Sequence, residues 1–321
     1  MLPGYREWSM KKLNLLFPSL IVMTGLLVPL KAQLEIKDVE GKSLDIVSGG
    51  KSLVRYMYEY DTSTDKMKHA TYKPYLHVFD ADGKSLITKG PGGQFTHHRG
   101  IFIGWSKIGF NGKKYDRWHM KDGAIVHKSF KKKESKDNTA SITSVTEWQD
   151  AAKKPILDEE RTMTVWTPGE GWARTVIFFK SKLTASYGDI ALKGDPEHAG
   201  IQYRPADEVD RKKTVYLFPK EEITTANVKK EKDLAWIAET YWLGDKAHSV
   251  VQLNHPTNPK GTVHSAYRDY GRFGSFFEKE IKKGESLTVN YAFAIVEGKL
   301  PARSEIQRAS EMYAQMELES E

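Results

Sequence analysis

Leu287-Thr288-Val289-Asn290-Tyr291-Ala292-Phe293-Ala294-Ile295 alternates large apolar residues with small or polar ones without a break. Side chains of an extended strand point alternately to its two faces, so this spacing predicts a half-buried strand. Arg161-Thr162-Met163-Thr164-Val165-Trp166-Thr167 alternates in the same way. Thr175-Val176-Ile177-Phe178-Phe179 is a continuous apolar run between Gly171 and Lys180, the pattern of a central strand. Turn signals separate such runs. Asp82-Gly83 follows Tyr75-Leu76-His77-Val78-Phe79, Asn111-Gly112 precedes Tyr115, and Gly169-Glu170-Gly171 parts two more strands. Asp-Gly and Asn-Gly tolerate the positive φ of tight hairpins. Helical spacing appears near the C-terminus, where Ile306, Ala309, Tyr313 and Met316 punctuate the run from Ser304, with Ser304 as N-cap. Many short strands and one terminal helix predict an all-β fold of antiparallel sheets, closed as a sandwich or barrel.

Composition bounds the function. Residues 1–32 read as an N-terminal extension and signal peptide: Lys11-Lys12 precede an apolar stretch from Leu13 to Leu30, and Ala32 offers a cleavage point. The alternative is an uncleaved membrane anchor, but Pro18 and Gly25 interrupt the stretch. Export would place the mature chain in the periplasm or outside the cell, with no membrane span. Residues 33–321 are expected to form a single β-sandwich domain. The chain has no cysteine, which excludes disulfides, thiolate nucleophiles and thiolate metal sites. Net charge is +7; Arg6, Lys11, Lys12 and Lys31 against Glu7 carry +3 of it, leaving +4. The runs Lys131-Lys132-Lys133 and Lys229-Lys230 read as solvated turns, so nucleic acid is not an expected partner. No H-E-x-x-H, G-x-S-x-G, Walker loop or dinucleotide fingerprint occurs.

Three polar stretches carry the candidate chemistry. Thr96-His97-His98-Arg99-Gly100 follows the loop Lys89-Gly90-Pro91-Gly92-Gly93 and joins titratable imidazoles to a planar cation. In Glu197-His198-Ala199-Gly200-Ile201-Gln202-Tyr203-Arg204, an extended chain puts His198, Gly200, Gln202 and Arg204 on one face. The third stretch contains His264, Tyr267, Arg268 and Tyr270. Glu147 and Glu160 are candidate carboxylates, and Trp118-His119 is a further cleft candidate.

Pro74-Tyr75-Leu76-His77, His97-His98-Arg99-Gly100-Ile101, Glu160-Arg161-Thr162, the His198–Arg204 stretch, Asn254-His255-Pro256 and Arg268-Asp269-Tyr270-Gly271 together resemble a secreted bacterial family labelled PmoA-like, or "methane oxygenase". The resemblance spans roughly residues 35–300. It implies a β-sandwich protein of glycan-degrading bacteria and brings no settled reaction. A particulate methane oxygenase subunit crosses the membrane with many helices. One apolar stretch and a mean hydropathy of −0.56 do not allow that architecture.

The expected fold is an antiparallel two-sheet sandwich, mutarotase-like supersandwich favoured, with a C-terminal helix. The expected function is a hydrolase, lyase or epimerase acting on glycans or modified sugars. His98 and His198 would be acid and base, with Glu147 or Glu160 as second group. His97, Arg99, Gln202, Arg204, His264, Arg268 and Tyr270 would bind substrate. No cofactor is expected. A non-catalytic glycan-binding protein is the first alternative. A metal enzyme using His97, His98, His198 and His264 for a divalent ion is the second.

Overall fold

A computed structural model describes residues 33–316, so the expected extension and signal peptide lie outside the described residues. One sheet has eight strands in the order Leu34–Val39, Ser43–Ser48, Lys51–Met57, Tyr75–Val78, Ile101–Trp105, Ala199–Tyr203, Phe273–Phe276 and Val263–His264. The second also has eight: Val215–Leu217, Trp236–Leu243, Lys246–Asn254, Ser286–Glu297, Thr175–Thr184, Pro155–Trp166, Thr139–Asp150 and Gly123–Lys136. Lys279–Ile281, Ile190–Lys193, Lys107–Phe110 and Lys113–Tyr115 form a small third sheet. The neighbouring strands pair antiparallel. Asn111 and Gly112, both at positive φ (48° and 73°), make the expected tight hairpin in the third sheet.

The two large sheets face each other. Ile101, Ile103, Ile201 and Tyr203 of the first share one apolar core with Met163, Val165, Phe179 and Phe293 of the second. Trp105 and Trp148 meet across it at 6.1 Å, and the Tyr203 and Tyr241 hydroxyls bond at 2.6 Å. The expected all-β antiparallel sandwich with a C-terminal helix is therefore what the chain forms.

Three local expectations need correction. Asn290 to Val296 is buried on both faces, not half-buried. Helix Arg303–Ala314 lays Ile306 and Tyr313 over Ala292, Ala294, Val176 and Trp236, and the small alanines leave it room. Ser304 is not the N-cap. That place is held by Ala302, whose N–H donates to the Glu305 carboxylate at 3.0 Å. Lys131-Lys132-Lys133 lies on the outermost strand of the second sheet rather than on a turn. Charge on an edge strand opposes the addition of further strands. A short helix, Asp65–Thr71, is capped by Thr64 and is too brief to show a sequence period. No helix among the described residues is long and apolar enough to cross a membrane.

Candidate functional site

Phe102 and Gln202 alternate with core residues of their strands and so point out of the sandwich. On this outer side, Arg117-Trp118-His119 crosses the first sheet. The Arg117 N–H donates to the Trp105 carbonyl at 2.8 Å, and the Trp118 ring packs 4.8 Å from Phe102. Gly104 permits the crossing, since a Cβ there would lie 2.1 Å from the Arg117 carbonyl oxygen.

Three histidines meet at this crossing. Ring centroids of His97 and His119 are 4.4 Å apart, of His119 and His198 5.1 Å, and of His97 and His198 6.4 Å. One ring nitrogen from each lies within 4.8 Å of the others. Two of the three are set by the same local device. His119 Nδ1 donates to Asp116 at 2.8 Å, and the Asp116 carboxylate also accepts the backbone N–H groups of Trp118 and His119. His198 Nδ1 donates to Asp195 at 2.9 Å, which accepts the N–H groups of Glu197 and His198. Burial alone would raise both carboxyls; these hydrogen bonds, the imidazole's foremost in each case, hold them below their usual range. His97 sits deeper. Its Nε2 is buried without a hydrogen-bond partner, and burial, then the Lys73 charge and the neighbouring imidazoles, push its pKa down to about 2.

The surroundings are tightly built. Phe95, exposed and held at a positive φ of 53°, stacks on His98 at 5.2 Å and meets Tyr270 at 4.9 Å. Lys73 is buried, donates to the Trp118 carbonyl at 2.6 Å and lies 3.7 Å from the Phe102 ring centre. Burial lowers its pKa well below the usual amine range. At the rim, Glu197 accepts from the Tyr267 hydroxyl at 2.7 Å and from Arg268 Nε at 3.0 Å.

The expected site residues divide. His97, His198, Arg268 and Tyr270 belong to this face or its rim, and His98 lies just beneath it. His97 and His98 occupy a turn, not a strand, and their ring centroids are 4.5 Å apart. His98 is buried, and burial together with the Arg272 charge pushes its pKa down. Arg99 is wholly buried and donates to the carbonyls of Thr96, His98 and His69. Its guanidinium ties the turn to the His69 carbonyl. Gln202 donates to the Arg99 carbonyl at 2.7 Å and accepts from Arg272 at 3.3 Å. Arg204 donates to the carbonyls of Pro205 and Tyr270 and to Asp207. Both are supports of the site. Gly200 sits at φ +81°, which breaks the simple alternation expected for His198, Gly200, Gln202 and Arg204.

Three residues lie elsewhere. His264 is buried with both ring nitrogens engaged, by the Leu234 N–H and the Ser275 hydroxyl. Glu147 is on the second sheet beside Gln149 and Lys128, and Glu160 on the same sheet pairs with Lys131. Long-range strand order, which alternation does not encode, separates them from the histidines. Asp116, Asp195, Lys73 and Arg272 were not expected. The repeated spacing of Asp116-Arg117-Trp118-His119 and Asp195-Pro196-Glu197-His198 is the signal that finds two of them.

Glu239 lies behind Arg204, buried, with the Tyr216 hydroxyl near its carboxylate but out of good hydrogen-bond geometry. The nearby Tyr216 hydroxyl donates instead to the Arg268 carbonyl at 2.8 Å. Burial raises the Glu239 pKa well above its usual value of 4.5, with Arg204 opposing. A raised pKa gives stability that is complete below pH 4.5 and declines as pH climbs toward the folded value. Glu239→Gln keeps the shape without the ionisation. Urea unfolding at pH 5 and pH 8 should show a smaller drop for this variant than for the parent; equal drops would contradict the assignment.

No curated protein matches the chain in sequence. Among solved structures it is similar to a heparan sulfate lyase mutant from Pedobacter heparinus, at 10% identity and TM-score 0.44, over 83% of this chain and 37% of that one. A heparinase III structure gives 10% identity and TM-score 0.38, with the same coverage of 83% and 37%. An aldose epimerase homologue from C. elegans gives 8% identity and TM-score 0.37, over 84% of this chain and all of that one. The chain thus spans little more than a third of each of the two lyases. By sequence, residues 43–311 match a family model, and the chain belongs to that family, described as a family of unknown function (DUF6807).

Proposed function

We propose that this is a secreted carbohydrate-active enzyme whose reactive centre is the His97, His119 and His198 face. The observation that carries the reading is the meeting of those three imidazoles, with an exposed aromatic ring, Phe95, stacked on the neighbouring His98 and an arginine, Arg268, on the rim. Sugars offer apolar C–H faces that pack on aromatic rings, and hydroxyls that bond imidazoles and guanidinium groups. The signal-peptide pattern in residues 1–32 and the resemblance to the PmoA-like family support export and a glycan context.

Hydrolysis by a pair of carboxylates is disfavoured. Such a pair flanks the scissile bond at about 5–9.5 Å. Glu147 and Glu160 pair with lysines on the other sheet, and Asp116 and Asp195 are committed to imidazoles. Lyase or epimerase chemistry suits the site better. Screening the purified protein on uronate-containing and neutral oligosaccharides should reveal turnover, and His198→Ala should lower it by about 10²–10⁴-fold. Sugar binding with no product would favour a glycan-binding protein instead, and unchanged turnover in the variant would move the centre elsewhere.

A further inference from the structure

Two histidines of the cluster turn Nδ1 to an aspartate, which leaves Nε2 of each free to take a ligand. The third presents a buried Nε2 without a partner. One ring nitrogen from each of the three lies within 4.8 Å of the others. An imidazole whose other nitrogen donates to a carboxylate is the usual state of a metal ligand, because the carboxylate fixes the tautomer and raises the basicity of the coordinating nitrogen. Here that arrangement occurs twice, built by the same Asp-x-x-His turn on two unrelated segments.

We propose that His97, His119 and His198 bind a divalent transition-metal ion of the zinc type, with a coordination position left open to solvent. Nitrogen ligands at about 2.0–2.1 Å in a tetrahedron stand roughly 3.3 Å apart, so binding an ion would draw the three rings in from the 4.8 Å within which they now lie. Three neutral nitrogens and no thiolate suit zinc, copper, iron or nickel, and do not suit calcium or magnesium, which take oxygen ligands. The open position follows from exposure: the His119 and His198 side chains are 23% and 37% accessible. Lys73 opposes a cation here, while Asp116 and Asp195 supply two compensating charges. A bound ion would act as a Lewis acid on a substrate oxygen.

The proposal shares its location with the carbohydrate reading but does not need its substrate. The test uses the full chain, made without a histidine tag, stripped with chelator and titrated with Zn²⁺ by calorimetry and with Co²⁺ by visible absorption. One equivalent is expected. Asp116→Asn and Asp195→Asn should each weaken binding about 10–100-fold, and His119→Ala more than that. Thermal unfolding of each stripped variant checks that it folds, and the two Asp→Asn changes carry the test should His119→Ala fail to fold. Uptake below about a tenth of an equivalent by the parent would overturn the proposal. So would undiminished binding by all folded variants, which would mark an adventitious ion only. Metal binding without turnover on any sugar would sink the carbohydrate reading alone. Full turnover by the stripped protein would overturn the Lewis-acid role of the metal and leave the carbohydrate reading standing.

Discussion

Glu159→Ala should cost about 3–5 kcal/mol of folding stability, the range for breaking a buried ion pair from one side. Glu159 and Arg161 are both fully buried between the sheets and paired at 2.9 Å. The Glu159 carboxylate also accepts from Trp148 Nε1 at 2.9 Å and the Ser181 hydroxyl at 2.8 Å. Arg161 extends the network to the Pro74 carbonyl at 3.0 Å, next to the segment that carries Lys73. Removing the carboxylate strands the guanidinium in the core. Replacing both residues with apolar ones of similar volume, Glu159→Leu with Arg161→Met, should cost less than the single change, because no charge is then left alone. Burial would raise the Glu159 carboxyl, but Arg161 and the other donors hold it below its usual 4.5. The lowered pKa gives stability that is present above pH 4.5 and lost as pH falls through the folded value. Urea unfolding at pH 7 and pH 4 reads both effects. A single variant within about 1 kcal/mol of the parent at pH 7 would show that the pair does not hold the sheets in this way.

Gly200→Ala should be nearly as damaging, for a different reason. Gly200 has φ +81°, and a Cβ there would stand 1.9 Å from the Ser275 carbonyl oxygen on the adjacent strand. A left-handed non-glycine residue costs about 1–3 kcal/mol. Overpacking against backbone adds about 1–3 kcal/mol more. Gly112→Ala is the matched control: φ is +73° but nothing lies within 4 Å of its added Cβ. The control should show the backbone cost alone. Because Gly200 follows His198 by two residues, the backbone shift should also move that imidazole off the cluster. Thermal unfolding of both variants separates strain from clash, and equal losses would mean that the contact with Ser275 relaxes freely.

Much of the fold could be read locally. Period-two alternation found the strands, although residues 290–296 are buried on both faces, and the Asn111-Gly112 hairpin and the spacing of Ile306 and Tyr313, which also depend on neighbours along the chain, matched the structure. Alternation also places the carboxylates of one strand on opposite faces. Glu159, Arg161, Met163 and Val165 share the buried face of their strand, while Glu160 lies on the other face with Lys131. An ion pair on the buried face breaks the apolar pattern that alternation is read from.

The chain's own order of residues determined strand-rich architecture, the terminal helix and the two Asp-x-x-His turns, since each is settled by dihedral preference and short-range hydrogen bonds. Tertiary structure decided which histidines meet. His97, His119 and His198 come together because one segment crosses the sheet over Gly104 while two turns border it. It also decided that His264 is a core residue and that both carboxylate candidates belong to the far sheet. Such outcomes follow from which strands pair, and that choice is made by packing over the whole domain rather than by any one stretch of sequence.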